Sequence, residues 1–424
     1  MKKIKILTLS DHPLSPSGVG TQTKYIIEAL LQSGKYEVVS LGGAIRHPDH
    51  KPQKTEQYGD LWTIYPVDGY GSVDAVRSIL RTERPDILWF MTDPRFFGWL
   101  WMIEQEIRPL VPMIYYHVWD NLPYPMFNKK FYDSNDMVVT ISKVTDDIVA
   151  NVSPTVAREY LPHAVDGSVF TPMSQQDVED FKRQFFRVPE GEEDTKFTFF
   201  WNNRNARRKQ TGSIMWWFKE FLDEIGHDKA RLLMHTDPKD AHGQDMIAIM
   251  ERTGMTEGQI LLSTQKIPPE NLAKMYNIVD CTINVSDAEG FGLATLESLS
   301  CATPIIVNLT GGLQDQITDG TNQFGIGITP SSKAIIGSQD VPYIYEDRIS
   351  KKDFIDALRT MYEMSPADRS KVGLLGREFT LNNFNFQQFG QRWVNLLEEV
   401  YENFGSWNHP EGRKNYKGWE HVEL

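Results

Sequence analysis

Short apolar runs alternate with helical periodicities along most of the chain, the arrangement expected of parallel βαβ units. Ile4–Leu9 reads as a strand. A helix follows over about Thr21–Gln32, with Tyr25, Ile26, Ala29 and Leu30 on one face and Gly34 as its stop. Further strands are expected at Glu37–Leu41, Ile87–Met91, Met113–His117 and Met137–Thr140. Between Phe170 and Lys196 the chain turns polar and acidic, with one helical segment near Asp177–Phe186, and reads as a linker. Alternation resumes with strands at Phe197–Trp201, Arg231–His235, Ile260–Leu262, Cys281–Val285 and Pro304–Val307. A long amphipathic helix from about Asn385 to Phe404 comes last, before a polar tail expected to be loosely attached. The pattern predicts an α/β protein of two similar halves, 1–170 and 197–384, joined by the linker 171–196. The helix 385–405 is expected to pack back toward the first half, and 406–424 forms the tail. Open sheets of this kind bind ligands beyond the carboxyl ends of their strands, so two facing sheets put the ligand in the cleft between them.

The length of 424 residues suits two or three domains, and 40% hydrophobic with 24% charged residues is an ordinary globular balance. A net charge of −13 weighs against a protein that wraps nucleic acid phosphates. Two cysteines, Cys281 and Cys301, in apolar surroundings and outside any metal-ligand spacing, read as small core residues. No apolar stretch reaches the length of a membrane span. The chain opens on the strand pattern Lys3–Leu9 rather than an apolar leader, and a cytoplasmic protein is expected. Peripheral contact with the inner membrane face stays open. Aromatic residues reach 12%, more than a core requires, and such side chains also serve as stacking faces for sugars and bases.

Three segments carry chemistry. Ser15-Pro16-Ser17-Gly18-Val19-Gly20 joins the first strand to a helix, where glycines admit a ligand and a helix start offers N–H groups to an anion. It matches neither the dinucleotide glycine pattern nor a Walker loop, and as a tight turn alone it would look the same. Glu289-Gly290-Phe291-Gly292-Leu293-Ala294-Thr295-Leu296-Glu297 runs from a strand end into a helix beginning near Gly292. Its glycines expose backbone N–H groups, and its two carboxylates suit sugar and ribose hydroxyls better than phosphate. Arg204 and Lys209, five apart and accompanied by Arg207 and Arg208, follow the first strand of the second half. Fixed cations there could neutralise a diphosphate leaving group.

In this order the three segments resemble the retaining nucleotide-sugar glycosyltransferases of family four, with the GT-B fold of two facing Rossmann-like domains and a donor cleft between them. Val139–Lys143 is similar to that family's strand-to-helix serine turn. Leu161-Pro162-His163-Ala164-Val165-Asp166 with Phe170 resembles its Pro-Asn-Gly-Val-Asp…Phe segment, and Thr303–Val307 ending in Gly311-Gly312 resembles its Pro-Val-Val…Gly-Gly run. The likeness covers most of the chain to about residue 330. It implies that Gly18 and Gly20 approach the donor phosphate or sugar, that Arg204 and Lys209 grip the diphosphate, and that Glu289 holds the sugar hydroxyls. It further implies that the backbone of Gly290, Phe291, Gly292 and Leu293 meets sugar and phosphate oxygens, and that Glu297 binds the ribose. His117, at a strand end, matches the family's active-site histidine, with Asp120 as a second group beside it; a buried structural histidine is the other reading. Departures are His163-Ala164 in place of Asn-Gly, and His235-Thr236-Asp237-Pro238 in place of a glycine-rich turn. His235 and Asp237 either shape the nucleotide side or only form that turn. Ser331–Tyr345 has no counterpart.

No Asp-x-Asp motif is present, so no metal site and no cofactor are expected; Arg204 and Lys209 take the cation's part, and the nucleoside-diphosphate sugar is a co-substrate. The resemblance favours UDP, with the base read by backbone near Gln265–Ile267. It implies front-face transfer with retention to a hydroxyl acceptor on a glycan, a lipid-linked sugar or a modified DNA base. A hydroxymethylated-base transferase of phage type is the alternative enzyme. A non-catalytic sugar-nucleotide or glycan-binding module is the alternative of another class, and it predicts loss of Arg204, Lys209 or Glu289, all of which are present.

Overall fold

Two parallel sheets organise the chain, each with its own helices and core. The structure, a computed structural model, describes residues 2–416. One unit comprises the chain up to Ala164, the segment Gly337–Tyr343 and everything from Phe386 onward; the other comprises Val165–Ile336 and Ile344–Asn385.

The first unit holds β1 (Ile4–Asp11), β2 (Tyr36–Gly43), β3 (Gln53–Lys54), β4 (Trp62–Pro66), β5 (Ile87–Met91), β6 (Met113–His117), β7 (Met137–Thr140) and β8 (Ala157–Tyr160). They lie in the order β3-β4-β2-β1-β5-β6-β7-β8, parallel except for the β3–β4 pair. Every residue of β5 and β6 is buried, which is why those strands read as unbroken apolar runs rather than alternations. The helix Phe386–Phe404 belongs to this unit. Tyr36 Oη donates to Val394 O at 2.6 Å, and Trp393 meets Trp89 edge-on with ring centroids 5.9 Å apart.

The tail expected to be loose is instead docked on the first unit as far as it is described. Ser406 Oγ donates to Asp86 Oδ1 at 2.8 Å, Trp407 Nε1 donates to Pro85 O at 2.7 Å, and Arg413 forms a buried ion pair with Asp136 at 2.6 Å. A serine, a tryptophan and a desolvated ion pair together outweigh a polar composition. Residues 417–424 of the expected tail lie outside the described residues.

The second unit holds β9 (Phe197–Asn202), β10 (Ala230–His235), β11 (Ile260–Ser263), β12 (Cys281–Asn284), β13 (Ile305–Asn308) and β14 (Gly325–Ile328), all parallel in the order β11-β10-β9-β12-β13-β14. A hairpin of β15 (Ser332–Ile336) and β16 (Ile344–Arg348) follows. The stretch expected as a linker, 171–196, is part of this unit. Its helix Gln175–Phe186 is anchored at both ends, by Met173 N–H donating to Asn277 Oδ1 at 2.8 Å and by the Arg231 guanidinium lying 3.2 Å over the Phe186 ring. Polar composition marked it as solvent-facing on one side, which a surface helix also is. Cys281 and Cys301 are buried and unpaired with each other, as core residues.

Candidate functional site

In the second sheet the connections from β9 lead to β10 on one side, and those from β12 lead to β13 on the other. Loops leaving the carboxyl ends of two adjacent strands in opposite directions open a crevice between them, the usual ligand position in a doubly wound sheet. The loop after β9 carries Arg204–Gln210 and the loop after β12 carries Val285–Gly292, so residues some 80 apart in sequence meet there. Lys209 Nζ forms an ion pair with Glu289 Oε2, the two side chains being 7% and 14% exposed. Asn284 Nδ2 donates to the same carboxylate oxygen at 3.3 Å, and Arg208 Nη1 donates to Ala288 O. Burial alone would push Glu289 up; the adjacent Lys209 and Arg208 charges outweigh it and hold the carboxyl below its usual range.

The turn after Glu289 is braced from behind. Gly312 N–H donates to Glu289 O at 3.0 Å, and Gln316 Nε2 donates to Phe291 O at 2.7 Å. Gly292, at φ 93°, is in the left-handed region and precedes the helix Leu293–Ser300. No side chain caps this helix, so the N–H groups of its first turn, with the positive end of its dipole, are left for a ligand. Gly290, Phe291, Gly292 and Leu293 therefore form a braced turn at that helix start, with the Phe291 side chain itself buried against Phe384 at a ring distance of 5.8 Å.

Glu297 lies in the second turn of the same helix and accepts from Tyr276 Oη at 2.8 Å, while Asn202 Nδ2 donates to that hydroxyl at 2.8 Å. Burial pushes Glu297 up to about 7 even though the Tyr276 hydroxyl favours its charged form. A carboxyl raised in the folded state binds its proton more tightly than the unfolded chain does. The stability it contributes is therefore full in acid and is lost as pH rises through about 7. Glu297→Gln keeps the acceptor and cannot ionise. It is expected to melt with the wild type at about pH 5 and above it at about pH 8; coincident melting at the higher pH would show that Glu297 is not held protonated.

Arg204 is not drawn to the Lys209–Glu289 pair. Its guanidinium is 60% exposed and held by Asp240, at 2.5 and 3.1 Å, and by His242 Nδ1 at 2.7 Å. His235 Nδ1 meets Ser263 Oγ on the neighbouring strand at 2.9 Å, and Asp237 accepts from Lys239 N–H at 2.9 Å within the local turn. The sequence reading missed Asn284, Tyr276 and Gln316, which hold the Lys209–Glu289 pair, the Glu297 carboxylate and the glycine turn. Each lies on an element whose local pattern signals only burial, and none has a motif that could have flagged it.

In the first unit the helix after β1 starts at Gly18, three residues before the expected start, because Ser17 caps it by accepting from Gly20 N–H at 2.9 Å. Gly18 is exposed at that start. A Cβ on Gly20 would lie 2.8 Å from His12 O and 2.9 Å from Ser15 O, so Gly20 is needed for the loop's own closure rather than to admit a ligand. His117, expected to face a ligand, is 0% exposed at the end of β6, with Nε2 2.7 Å from Tyr132 Oη and Nδ1 buried without a partner. Burial lowers it to about 3, so the ring is neutral and closed off from solvent. Asp120, three residues on from the strand end, is partly exposed.

Residues 244–361 match the family model described as glycosyl transferases group 1. The D-inositol 3-phosphate glycosyltransferase of Corynebacterium jeikeium is 26% identical over 252 residues, 57% of this chain and 55% of that relative. The chain thus matches about half the length of that curated relative. Among solved structures, sucrose-phosphate synthase from Thermosynechococcus elongatus superposes with a TM-score of 0.75 at 15% identity, covering 94% of this chain and all of that one (100%). Anabaena HepE in complex with UDP and glucose gives 0.67 at 13% identity, covering 93% and 100%. These likenesses give the chain the GT-B fold. Over the matched segment the chain is similar to the group 1 glycosyl transferases. Among the described residues no helix is long and apolar enough to cross a membrane.

Proposed function

We propose that this protein transfers a sugar, with retention, from a nucleoside-diphosphate sugar to a hydroxyl acceptor, with UDP as the favoured nucleotide. The observation that carries the reading is the desolvated Lys209–Glu289 pair beside an uncapped helix start at the sheet's switch point. Cation, carboxylate and free N–H groups there match the three parts of a donor: leaving diphosphate, sugar hydroxyls and phosphate oxygens. In this reading Glu289 accepts hydrogen bonds from the transferred sugar, and the Lys209 ammonium turns to the diphosphate as its charge builds. Charge fixed in a site that excludes water needs little reorganisation during the reaction. The bond from the anomeric carbon to the phosphate oxygen breaks as the acceptor oxygen bonds to the same face, and the acceptor's proton passes to the departing phosphate. Glu297, next to Tyr276, receives the ribose hydroxyls. Lys209 supplies the positive charge that a metal would otherwise bring. His117 and Gly20 are given no contact with the donor, since both are packed shut. The UDP found with HepE supports the choice of nucleotide. Glycan or glycolipid assembly is the favoured setting.

The test is thermal unfolding with UDP, GDP, ADP and TDP, each with and without EDTA. UDP at 100 times its Kd is expected to stabilise the protein by about 2.7 kcal/mol, unchanged by EDTA. A shift with another diphosphate alone would reassign the nucleotide, a shift abolished by EDTA would remove the metal-independent reading, and no shift at all would favour a protein with an idle donor site.

A further inference from the structure

A second pocket lies within the second unit, of about 420 Å3, lined among others by Arg207, Gln210, His242, Gly243, Gln244 and Arg348. We propose that it binds a phosphoryl group of a ligand other than the donor, either free phosphate or the phosphate of a phosphorylated sugar. The proposal does not depend on the donor reading, because a different set of side chains forms the pocket.

Geometry separates the two sites. Arg207, Arg208 and Lys209 form one 3₁₀ turn, in which successive side chains leave the axis about 120° apart. Lys209 faces Glu289 while Arg207 faces Glu346, whose carboxylate it grips through both Nη atoms, at 2.9 Å for the Nη1–Oε2 contact. Arg348 Nη2 reaches the same Oε2 at 2.9 Å. One carboxylate thus gathers two guanidiniums. Glu346 is 2% exposed, whereas the Arg207 and Arg348 side chains are 60% and 43% exposed. The negative charge forms the floor and the positive charges face the opening. Asp287 lies nearby, 3.9 Å from Arg348, and burial pushes its carboxyl up to about 6.

Arg348 Nε is the atom that lies 3.9 Å from Asp287 Oδ2, within ion-pair range but without a hydrogen bond among the described residues. Arginine forks fit phosphate bidentately, and the pocket's volume lies in the range of small-molecule sites.

The walls are rigid before any ligand arrives. Gln210 is held at φ 59° with Nε2 donating to Asp287 at 2.5 Å and Oε1 accepting from Ser213 Oγ at 2.8 Å. The 241–244 loop is tied by Asn205 Nδ2 to Gln244 O at 2.7 Å and by Gly212 N–H to Gln244 Oε1 at 2.6 Å. Arg348 and Glu346 come from β16, just after the Ser331–Tyr345 segment that has no counterpart in the resemblance.

Calorimetric titration of the full chain with inorganic phosphate and, separately, glucose 6-phosphate would test this, each with and without saturating UDP. Binding is expected in both conditions, weakened at least tenfold in Arg207→Gln and Arg348→Gln and unaltered in Glu297→Gln. A sugar phosphate binding much more tightly than phosphate would assign a phosphorylated sugar; equal binding would assign free phosphate. Should the arginine variants not fold, tungstate soaked into wild-type crystals is expected to give an anomalous peak between Arg207 and Arg348. Binding abolished by UDP, full binding in both arginine variants, no binding of either probe, or a tungstate peak elsewhere would each overturn the proposal.

Discussion

Lys209→Met is expected to be the most damaging single substitution in the second unit. Lys209 and Glu289 are both largely withdrawn from water, so removing the ammonium leaves a buried carboxylate without its counter-charge. Breaking such a pair from one side costs roughly 3–5 kcal/mol. In a unit of this size that corresponds to a melting temperature lower by about 10 °C. Glu289 would also lose the main charge holding it below its usual range, and would take up a proton at higher pH than before. The double variant Lys209→Met/Glu289→Gln removes the stranded charge. It is expected to recover most of the lost stability while sugar transfer stays down by about 10²–10³-fold. Melting curves and transfer rates on the four proteins of this cycle decide the matter. A double variant no more stable than Lys209→Met would show that the lysine acts through packing and not through the ion pair.

The second large effect is expected from a methyl group. A Cβ on Gly312 would sit 2.6 Å from Gly290 O and from Phe291 Cα, and 2.9 Å from Phe291 O. All three are backbone atoms of the turn that follows Glu289, so no side chain can swing aside. Overpacking of this kind costs typically about 1–3 kcal/mol, and here relief requires the Glu289–Gly292 turn to move outward. Gly312→Ala should therefore fold, melt several degrees lower and lose the stabilisation by UDP. Gly98→Ala is the matched control, since nothing lies within 4 Å of its added carbon. A Gly312→Ala protein that keeps the full UDP shift would mean that the turn does not hold the nucleotide.

Strand positions in the interior of both sheets were legible from sequence to within a residue or two. Ile87–Met91, Met113–His117 and Met137–Thr140 are buried on both faces, and nothing but an apolar run satisfies such a place. Several strands at or near the margins were not legible. Gln53–Lys54, Trp62–Pro66, Ala157–Tyr160 and the β15–β16 hairpin are partly solvated, so their composition is free to look like loop. The same logic governs the docked tail. Ser406, Trp407 and Arg413 are anchored by partners some 300 residues earlier, which no local pattern can announce.

The candidate site divides along the same line. Residue types and spacing alone determined that a Glu-Gly-Phe-Gly turn opens a helix and that a basic cluster follows a strand, because local backbone needs dictate both. Which cation meets which carboxylate was decided only by the tertiary structure. Arg204, Arg207 and Lys209 are equivalent as sequence, yet Asp240, Glu346 and Glu289 sort them onto three different faces. His117 shows the converse: its place at a strand end was readable, but its burial against Tyr132 depends on a neighbour from another element. Chain-local chemistry determines what a segment can form; long-range packing decides which charges are desolvated together.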